Sequence, residues 1–478
     1  MKKVPLFGSG VSAKSRVVSS QRRLNCYYEI RSDGDKSNIV VYGTPGLVLA
    51  SSSLSGVIRG WHVMGGNLYV VSAGTLYRLN TNLAATSLGT LNTAAGFVSM
   101  DDNGTQLMIV DGTSGYIFNT STSTFSVISS AGFPNGATSV AFSDGCFIVE
   151  KPGTGQFYKS ASYDGTTWGA SDFATLAASP GNLLAVDVDH GVLILWGQNS
   201  IEPWQDLGSP LFPFAPLRGS AQEYGLAAKW SRAKIGNTII FLANNPQGGS
   251  QVMMLNGFNP VDIGSPDISN IISGFSTVVD AVALSYVVDG HAMYQITFPS
   301  GGRSFLYDMT TGMWSETQTG VSLTGTHLAR LGINFNGFNY ACDGTTGNIY
   351  QFSSSAYTDN GTPIKRMVQT RHVFEDYNIL GVSEVFLDME TGVGLQNGQG
   401  SNPQVMMQIS KDGGRTFTQE RWVSIGLVGQ YVEPRAYWRR CGSGRDFVFR
   451  FTMTDPVKFV ITGGAIDPIM KPQSYGAH

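Results

Sequence analysis

Residues that could do acid–base or metal chemistry are scattered along this 478-residue sequence. Two carboxylate pairs, Asp101–Asp102 and Glu375–Asp376, could in principle serve as general acid and base. Because adjacent side chains of a strand face opposite ways, neither pair converges locally, and glycosidase chemistry would need groups from different loops. Histidines scattered in strands are typically surface groups or satisfied core groups. The six here are His62, His190, His291, His327, His372 and His478.

The sequence also lacks the usual metal and nucleophile signatures. The cysteines show no C-x-x-C pair and no histidine at zinc spacing; they are Cys26, Cys146, Cys342 and Cys441. There is no G-x-S-x-G elbow, P-loop or H-E-x-x-H helix. We therefore predict no catalytic residue, no cofactor, no metal site and no dense disulfide framework. The protein is expected not to be an enzyme.

One local motif indicates a fold rather than a reaction. It resembles the Asp-box hairpin of sialidases and related propellers, and a looser copy spans residues 162–168. Its characteristic residues are Ser410, Asp412, Gly414, Thr416 and Phe417. In such a hairpin the aspartate accepts backbone N–H bonds, the glycine takes a positive φ and the aromatic ring packs underneath. A sialidase would also need an arginine triad and a tyrosine nucleophile, and arginines are sparse in the middle of the chain.

Composition and repeats indicate an all-β chain. Glycines number 59, and charged residues make up 14%, against about a quarter in typical globular domains. Strand–turn–strand units recur roughly every 40 to 55 residues, the period of a propeller blade. Their apolar runs begin near Tyr69, Leu107, Cys146, Val192, Thr238, Met293 and Tyr340. This pattern predicts a β-propeller of six or seven blades.

Beyond residue 360 the alternating strands become longer, which is typical of an additional β-sandwich-like domain. We predict an N-terminal arm or entry strand at 1–39, the propeller at 40–360 and the C-terminal β-domain at 361–478. No apolar stretch approaches the ~18 residues of a membrane-spanning helix. No secretion signal is evident, so we expect folding in the host cytoplasm.

Charge is divided unevenly along the chain. Residues 1–36 carry eight Lys and Arg against three Asp and Glu; residues 37–360 carry ten against twenty, and residues 361–478 thirteen against eleven. The net charge of -3 argues against the basic field of a sequence-independent DNA binder. Head-to-tail contact between unlike surfaces is one use for this asymmetry.

The densest basic and aromatic stretch lies in the C-terminal domain. It contains Arg435, Tyr437, Trp438, Arg439, Arg440, Arg445 and Arg450. Arg, Tyr and Trp dominate interface hot spots. A protein-partner surface, an ordinary strand pair with solvated arginines and contact with DNA phosphates all stay open.

The segment at 22–52 resembles the opening of the packaged-DNA stabilisation proteins, or tail nozzle proteins, of short-tailed bacteriophages. There an R-x-x-N-x-Y/F-x-E segment precedes Y-G-T-P-G-L. The matching residues, with one residue of slack, are Arg23, Asn25, Tyr28 and Glu29, followed by Tyr42, Gly43, Thr44, Pro45, Gly46 and Leu47. Further matches, including residues 196–204 and the last strands, extend the resemblance from about residue 16 to 467.

The resemblance implies a structural virion protein of the phage tail, a nozzle or hub that docks below the portal–adaptor ring, retains packaged DNA and forms the conduit for its ejection. It also implies a homohexameric ring that contacts portal or adaptor proteins and the tail needle, fibres or spikes. Phage DNA would pass through the lumen transiently, without sequence-specific binding. Two other classes stay open: a glycan-binding or glycan-degrading tail-associated propeller, and a scaffold propeller of a cellular complex.

Overall fold

The chain forms antiparallel β-structure almost throughout. The computed structural model describes residues 2–3, 6, 8, 10–31, 37–209, 212–375, 378–432 and 435–471. Within these ranges there is one α-helix, Pro266–Ser273, and one short 3-10 helix, Lys229–Ser231. The helix begins where Ser265 accepts a bond from the backbone N–H of Ile268, with Pro266 at its first position.

Seven successive sheets, counted over the described residues, form the blades of a propeller, and in most of them the strands pair in chain order. Blade 1 consists of Ile58–Met64, Asn67–Ser72, Thr75–Leu79 and Ala85–Thr90. Blade 2 consists of Ser99–Asp102, Gln106–Val110, Gly115–Asn119 and Thr124–Val127. Blade 3 consists of Val140–Ser143, Cys146–Glu150, Gln156–Ala161 and Asp164–Thr175. Blade 4 consists of Leu183–Asp189, Val192–Gly197, Ile201–Asp206 and Phe214–Pro216.

The last three blades depart slightly from this plan. Blade 5 consists of Gly225–Leu226, Ala233–Ile235, Thr238–Asn244, Ser250–Asn256 and Asn259–Asp262, and its first two strands both pair with the third. Blade 6 consists of Val282–Val288, His291–Phe298, Arg303–Asp308 and Met313–Thr317. Blade 7 consists of Leu331–Phe335, Phe338–Cys342, Ile349–Ser353 and the N-terminal strand Gly46–Ser51.

The N-terminal strand closes the ring of blades. Leu47 pairs with Phe352 in an antiparallel register, so the outer strand of blade 7 comes from the opposite end of the propeller sequence. Two short strands, Thr358–Asp359 and Thr362–Pro363, extend this sheet. Closure removes the exposed sheet faces that an open stack of blades would leave to water.

Buried side chains fill the space between successive blades. Alternate residues of one strand pack against the two adjacent blades, because side chains along a strand point to opposite faces. In blade 2, Leu107 and Ile109 pack against blade 1, whereas Met108 and Val110 pack against blade 3. Corresponding clusters join the other blades, including blade 7 to blade 1. Each fully buried Leu or Ile contributes about 1.5–3 kcal/mol.

The first strands of the blades surround a central cavity. Part of this space measures about 350 Å³ and is lined by Trp61, Met100, Trp230, Leu284 and Leu331, among others. These residues come from four blades and from the 3-10 helix of a fifth. The arrangement confirms the predicted propeller. Each of the seven predicted apolar runs falls in a different blade, in its second strand except in blade 5, where the run forms the third strand.

The remaining strands form a two-sheet β-sandwich, which confirms the second part of the predicted fold class. One sheet has the order Cys26–Ile30, Ile39–Gly43, Val460–Lys471, Ile379–Met389 and Ala436–Gly444, with Lys2–Lys3 added beside Val460–Lys471. The other has the order Arg22–Leu24, Arg366–Gln369, Asp446–Met453, Gln404–Ser410 and Arg421–Ser424, with Val373–Phe374 beside Asp446–Met453.

The sandwich core forms between these sheets. Val385 and Trp438 of the first sheet pack in one cluster with Met407, Phe449 and Phe451 of the second. Strands from residues 22 to 43 belong to this sandwich, although they precede the propeller in sequence. The domain limits at residues 39 and 360 remain a prediction.

Candidate functional site: the joint between propeller and sandwich

The N-terminal residues that carry the family resemblance, within 22–52, lie where the propeller joins the sandwich. Leu24 pairs in parallel with Glu316 of blade 6 and antiparallel with Met367 of the sandwich. The chain then crosses to the other sandwich sheet at Cys26–Ile30. The first motif segment of the resemblance therefore forms the seam between the two parts of the molecule.

Arg23 is buried in this seam beneath the ring of Tyr28. Its guanidinium carbon lies 3.5 Å from the ring centroid, and its Nη2 donates to the carbonyl oxygen of Trp314 at 2.8 Å. The hydroxyl of Tyr28 donates to the carbonyl oxygen of Leu6 at 3.0 Å. A desolvated cation–π contact of this kind contributes about 2 kcal/mol. Arg23 therefore ties the last strand of blade 6 to the sandwich.

Asn25 connects three segments from a strained backbone position. Its φ is 51°, in the left-handed region that Asn tolerates better than most residues. Its Nδ2 donates to the carbonyl oxygen of Lys365 at 2.9 Å. Its Oδ1 accepts from the hydroxyl of Thr317 at 3.0 Å and from the backbone N–H of Gln318 at 2.8 Å. One fully buried amide therefore holds the entry strand, blade 6 and the segment leading to the sandwich.

Two arginines share the carboxylate of Glu316. Arg22 donates from Nε and Nη2 at 2.7 and 2.6 Å, and Nη2 of Arg303 lies 2.7 Å from Oε2. The side chain of Glu316 is 4% exposed, against 14% for Arg22 and 22% for Arg303. Bidentate Arg–carboxylate geometry fixes orientation as well as adding energy. The triad locks the sandwich edge strand to blade 6.

The Y-G-T-P-G-L segment carries the chain from the sandwich into blade 7. Gly43 lies against the side chain of Arg366, and a Cβ at Gly43 would collide with its Nε. A Cβ at Gly46 would lie 2.5 Å from the carbonyl oxygen of Thr358. Leu47 is then buried among residues of blades 6 and 7. Both glycines are required by close approach of neighbouring chains.

Arg366 is buried where this crossing segment meets the sandwich. Its guanidinium carbon lies 5.6 Å from the ring centroid of Tyr357, and burial lowers the pKa of the group. Burial raises the pKa of the neighbouring Cys26 thiol to about 12, although Arg366 and Arg23 oppose this shift. Cys26 is therefore a neutral, unreactive thiol at physiological pH. All four cysteines are buried and unbridged.

The Asp-box hairpin forms as expected and supports the same seam. Asp412 accepts bonds from the hydroxyls of Ser410 and Thr416, at 2.7 and 2.5 Å, and from the backbone N–H groups of Arg415 and Thr416. The bonds from Ser410 and Thr416 hold the pKa of Asp412 well below its ordinary value. Gly414 has a φ of 81°, and its carbonyl oxygen accepts from Nη1 of Arg16 at 3.2 Å. The hairpin thus fastens the N-terminal segment to the sandwich.

The predicted basic and aromatic stretch does not form one surface. Trp438 is in the sandwich core, and the guanidinium of Arg450 lies 3.6 Å from the ring centroid of Phe417. Arg439 is exposed on the edge strand, where its Nε donates to Glu384 at 2.7 Å, and Tyr437 is also exposed. Alternation along the strand separates these side chains between two faces.

Each histidine of the described residues lies within 3.9 Å of an aspartate carboxylate. The pairs are His62–Asp102, His190–Asp189, His291–Asp308, His327–Asp359 and His372–Asp446. The bond to Asp308 raises the pKa of His291, whereas burial lowers the pKa of His327. His478 and Asp376 lie outside the described residues. The pairs belong to different blades or to the sandwich and form no common site.

The sequence alone did not reveal several partners at the joint. Glu316, Arg303 and Arg366 come from positions far from the motif in sequence, and none lies in a recognisable pattern. Glu316 and Arg366 lie in short strands that are buried along most or all of their length, so local alternation does not mark either residue as facing a particular partner.

The fold and the joint define a structural, two-part propeller–sandwich protein. The family model described as bacteriophage P22 Gp10, β-propeller, matches residues 3–357, and the one described as bacteriophage P22 Gp10, β-sandwich, matches residues 365–467. The chain therefore belongs to the bacteriophage P22 Gp10 family of phage stabilisation proteins. The sequence resemblance is confirmed.

Other comparisons add no functional information. No curated protein sequence matches the chain. The extracellular domain of the putative hybrid two-component system BT4673 from B. thetaiotaomicron has 8% identity and a TM-score of 0.43, over 73% of this chain and 44% of that one. The N-terminal domain of Nup159 has 9% identity and a TM-score of 0.38, over 69% and 99%. The Pan2 WD40 domain of Neurospora crassa has 8% identity and a TM-score of 0.38, over 66% and 96%.

The chain spans less than half the length of the BT4673 domains it matches. In the part of the chain that the structure describes, no helix has the length and hydropathy to cross a membrane.

Proposed function

We propose that this protein is a tail nozzle or hub of a phage virion. It docks below the portal–adaptor ring, retains the packaged DNA and forms the conduit through which the DNA is ejected. It assembles as a homohexameric ring and contacts the tail needle, fibres or spikes. It has no enzymatic activity of its own and folds in the host cytoplasm before joining the particle.

The observation that carries this proposal is the location of the family motif at the joint. Arg23, Asn25 and Tyr28 are buried between propeller and sandwich, where hydrogen bonds of Arg23 and Asn25 join neighbouring segments. Side chains arranged in this way resist rotation of one part against the other. A subunit under the pressure of packaged DNA needs that resistance, because a ring leaks where its subunits deform.

Charge also suits a conduit. Residues 37–360, which include all seven blades, carry twice as many acidic as basic residues. A lumen lined by acidic groups repels DNA phosphates and lets the DNA pass without sticking. Residues 1–36 carry the opposite excess, which favours heterologous contact between neighbouring subunits in a ring.

Phage particles assembled without the protein test the proposal. We expect heads that package DNA and then lose it, measured as a drop in nuclease-resistant genome copies and in infectivity. Supplying the wild-type chain during assembly should restore both. Particles that stay full and infectious without the protein would overturn the proposal. Release of sugars from host polysaccharide by the purified chain would instead establish the glycan-degrading alternative.

The shape of the assembly gives an independent measurement. Electron microscopy of restored particles should show a six-fold ring at the tail, below the portal. A different symmetry would reject the hexamer while leaving the role in DNA retention intact. A strongly basic lumen in that ring would contradict the charge argument.

A further inference from the structure

A histidine and two aspartates converge where blades 1 and 2 meet near the propeller axis. His62 lies in the first strand of blade 1, and Asp101 and Asp102 end the first strand of blade 2. His62 Nε2 is 2.6 Å from Oδ2 of Asp102 and 3.9 Å from Oδ1 of Asp101. The three atoms all lie within 4.8 Å of one another.

Backbone hydrogen bonds hold both carboxylates in place. Asp101 accepts from the N–H of Phe142 in blade 3 at 2.6 Å and from the N–H of Asp102 at 2.9 Å. Asp102 accepts from the N–H of Gly104 at 2.7 Å through the oxygen that does not face His62. Three blades therefore fix this group before any ligand arrives.

The sequence predicts that Asp101 and Asp102 do not converge, because adjacent side chains of a strand face opposite ways. That rule fails here because the strand ends at Asp102, where the chain turns toward Gly104. Asp101 and Asp102 can then both approach His62 from the neighbouring blade. The expectation that these two carboxylates do not converge is corrected by this geometry.

The ligand types in the group suit a cation. His62 faces the carboxylates of both Asp101 and Asp102. The group therefore presents two acidic side chains to one imidazole.

Two basic side chains across a neighbouring cavity are already paired. A cavity of about 280 Å³ reaches from Asp101 to Arg232 and Lys234 of blade 5. Arg232 lies 2.6 Å from Asp187, and Lys234 lies 3.1 Å from Asp189. Neither basic side chain therefore neutralises the carboxylates at His62.

We propose that His62, Asp101 and Asp102 bind a divalent transition-metal cation that joins blades 1 and 2. An imidazole nitrogen with two carboxylate oxygens suits Zn²⁺ or Mn²⁺. When two ligand atoms each lie about 2.1 Å from an ion, they are about 3.0 Å from each other if the ligand–metal–ligand angle is 90°. They are about 3.4 Å from each other if that angle is tetrahedral. The two separations of 2.6 and 3.9 Å from His62 Nε2 bracket these values.

The side chains of His62, Asp101 and Asp102 are partly accessible to solvent. The side chains are 23% exposed for His62, 31% for Asp101 and 20% for Asp102. An ion can therefore enter from water and keep water molecules in its remaining positions.

Direct titration of the full chain tests this site. After treatment with a chelator and dialysis, the wild-type chain should bind one equivalent of Zn²⁺ or Mn²⁺, by calorimetry and by elemental analysis. His62→Ala and Asp102→Asn should each lose that equivalent. His190→Ala is the matched control, since His190 pairs with Asp189 at 2.9 Å and should leave the equivalent unchanged.

A measurement on the wild type avoids any dependence on how the variants fold. Bound Mn²⁺ should broaden the imidazole resonance of His62 beyond detection before those of His291 and His372. Binding of no metal, or full binding by His62→Ala, would overturn the proposal. So would broadening that spares His62. The metal should also raise the thermal midpoint of the wild type and of His190→Ala but not that of Asp102→Asn.

Discussion

Arg22 donates two hydrogen bonds to Glu316, at 2.7 and 2.6 Å, and so joins the sandwich strand Arg22–Leu24 to the last strand of blade 6. The two residues are 294 positions apart in sequence. Arg303 approaches the same carboxylate at 2.7 Å. The contact shows how the N-terminal segment links the two parts of the molecule.

Glu316→Ala should destabilise this joint strongly. Removal of the carboxylate leaves Arg22 and Arg303 largely buried without their shared partner, which costs about 3–5 kcal/mol. The measurement is the free energy of unfolding in guanidinium, followed by tryptophan fluorescence. Glu390→Ala is the control, because its pair with Lys458 is well exposed and contributes at most about 1 kcal/mol. Equal losses in both variants would contradict the assigned role.

Asn25 should reveal its backbone strain in a comparison of two variants. Asn25→Gly and Asn25→Ala both lose the bonds to Lys365, Thr317 and Gln318. Only Ala also meets the steric cost of a φ of 51°, so Asn25→Ala should be less stable than Asn25→Gly by about 1 kcal/mol. The same unfolding measurement applies, with Asn336→Gly in an exposed turn as a nearly neutral control. Equal stability of the two variants would refute the strain argument.

Gly43→Ala should destabilise the crossing between sandwich and blade 7. The new Cβ would collide with Nε of Arg366, whose side chain is fully buried and has little room to shift. Overpacking of this kind costs about 1–3 kcal/mol. Gly463→Ala is the control, since the nearest atom to its Cβ is 3.6 Å away. A variant at Gly43 that unfolds like the wild type would exclude the close approach.

His291 and His327 should titrate on opposite sides of the ordinary histidine pKa. The bond to Asp308 raises the pKa of His291, and burial lowers the pKa of His327. The stabilisation from the His291–Asp308 pair is present below the unfolded pKa of about 6.5 and is lost as pH rises through the folded value. Imidazole resonances followed across pH 4 to 9 measure both groups.

The reverse order of titration would contradict these two environments. Asp308→Asn provides a control, since it removes the carboxylate beside His291 and leaves His327 untouched. In that variant the pKa of His291 should fall, while that of His327 should not move. If the pKa values of both His291 and His327 shifted in Asp308→Asn, the variant would have changed its fold and not only lost one pair.

The sequence predicted the fold class well because its signals are local. Alternation of apolar residues, glycine-rich turns and the spacing of the seven apolar runs each involve residues close together in the chain. The Asp-box hairpin was predicted for the same reason, as every partner of Asp412 lies within four residues. Membership of the phage stabilisation family was predicted from several motifs that occur in the expected order along the chain.

The sequence could not show which strands pair across hundreds of residues. Residues 1–39 are predicted as an arm or entry strand, and the structure places the strands between residues 22 and 43 in the sandwich beside residues 366–471. The strand at 46–51 then closes the propeller by pairing with residues near 350. Such pairings depend on which buried faces complement each other, and no local pattern records that information.

The sequence by itself thus determined the repeated blade, the all-β class and the family. Only the tertiary structure decided that Arg23, Asn25 and Gly43 form a seam, and that His62 meets Asp101 and Asp102. The physical reason is that turns and alternation follow from short-range sterics and burial. A charged or strained residue instead acquires its role from partners that folding brings to it from distant positions.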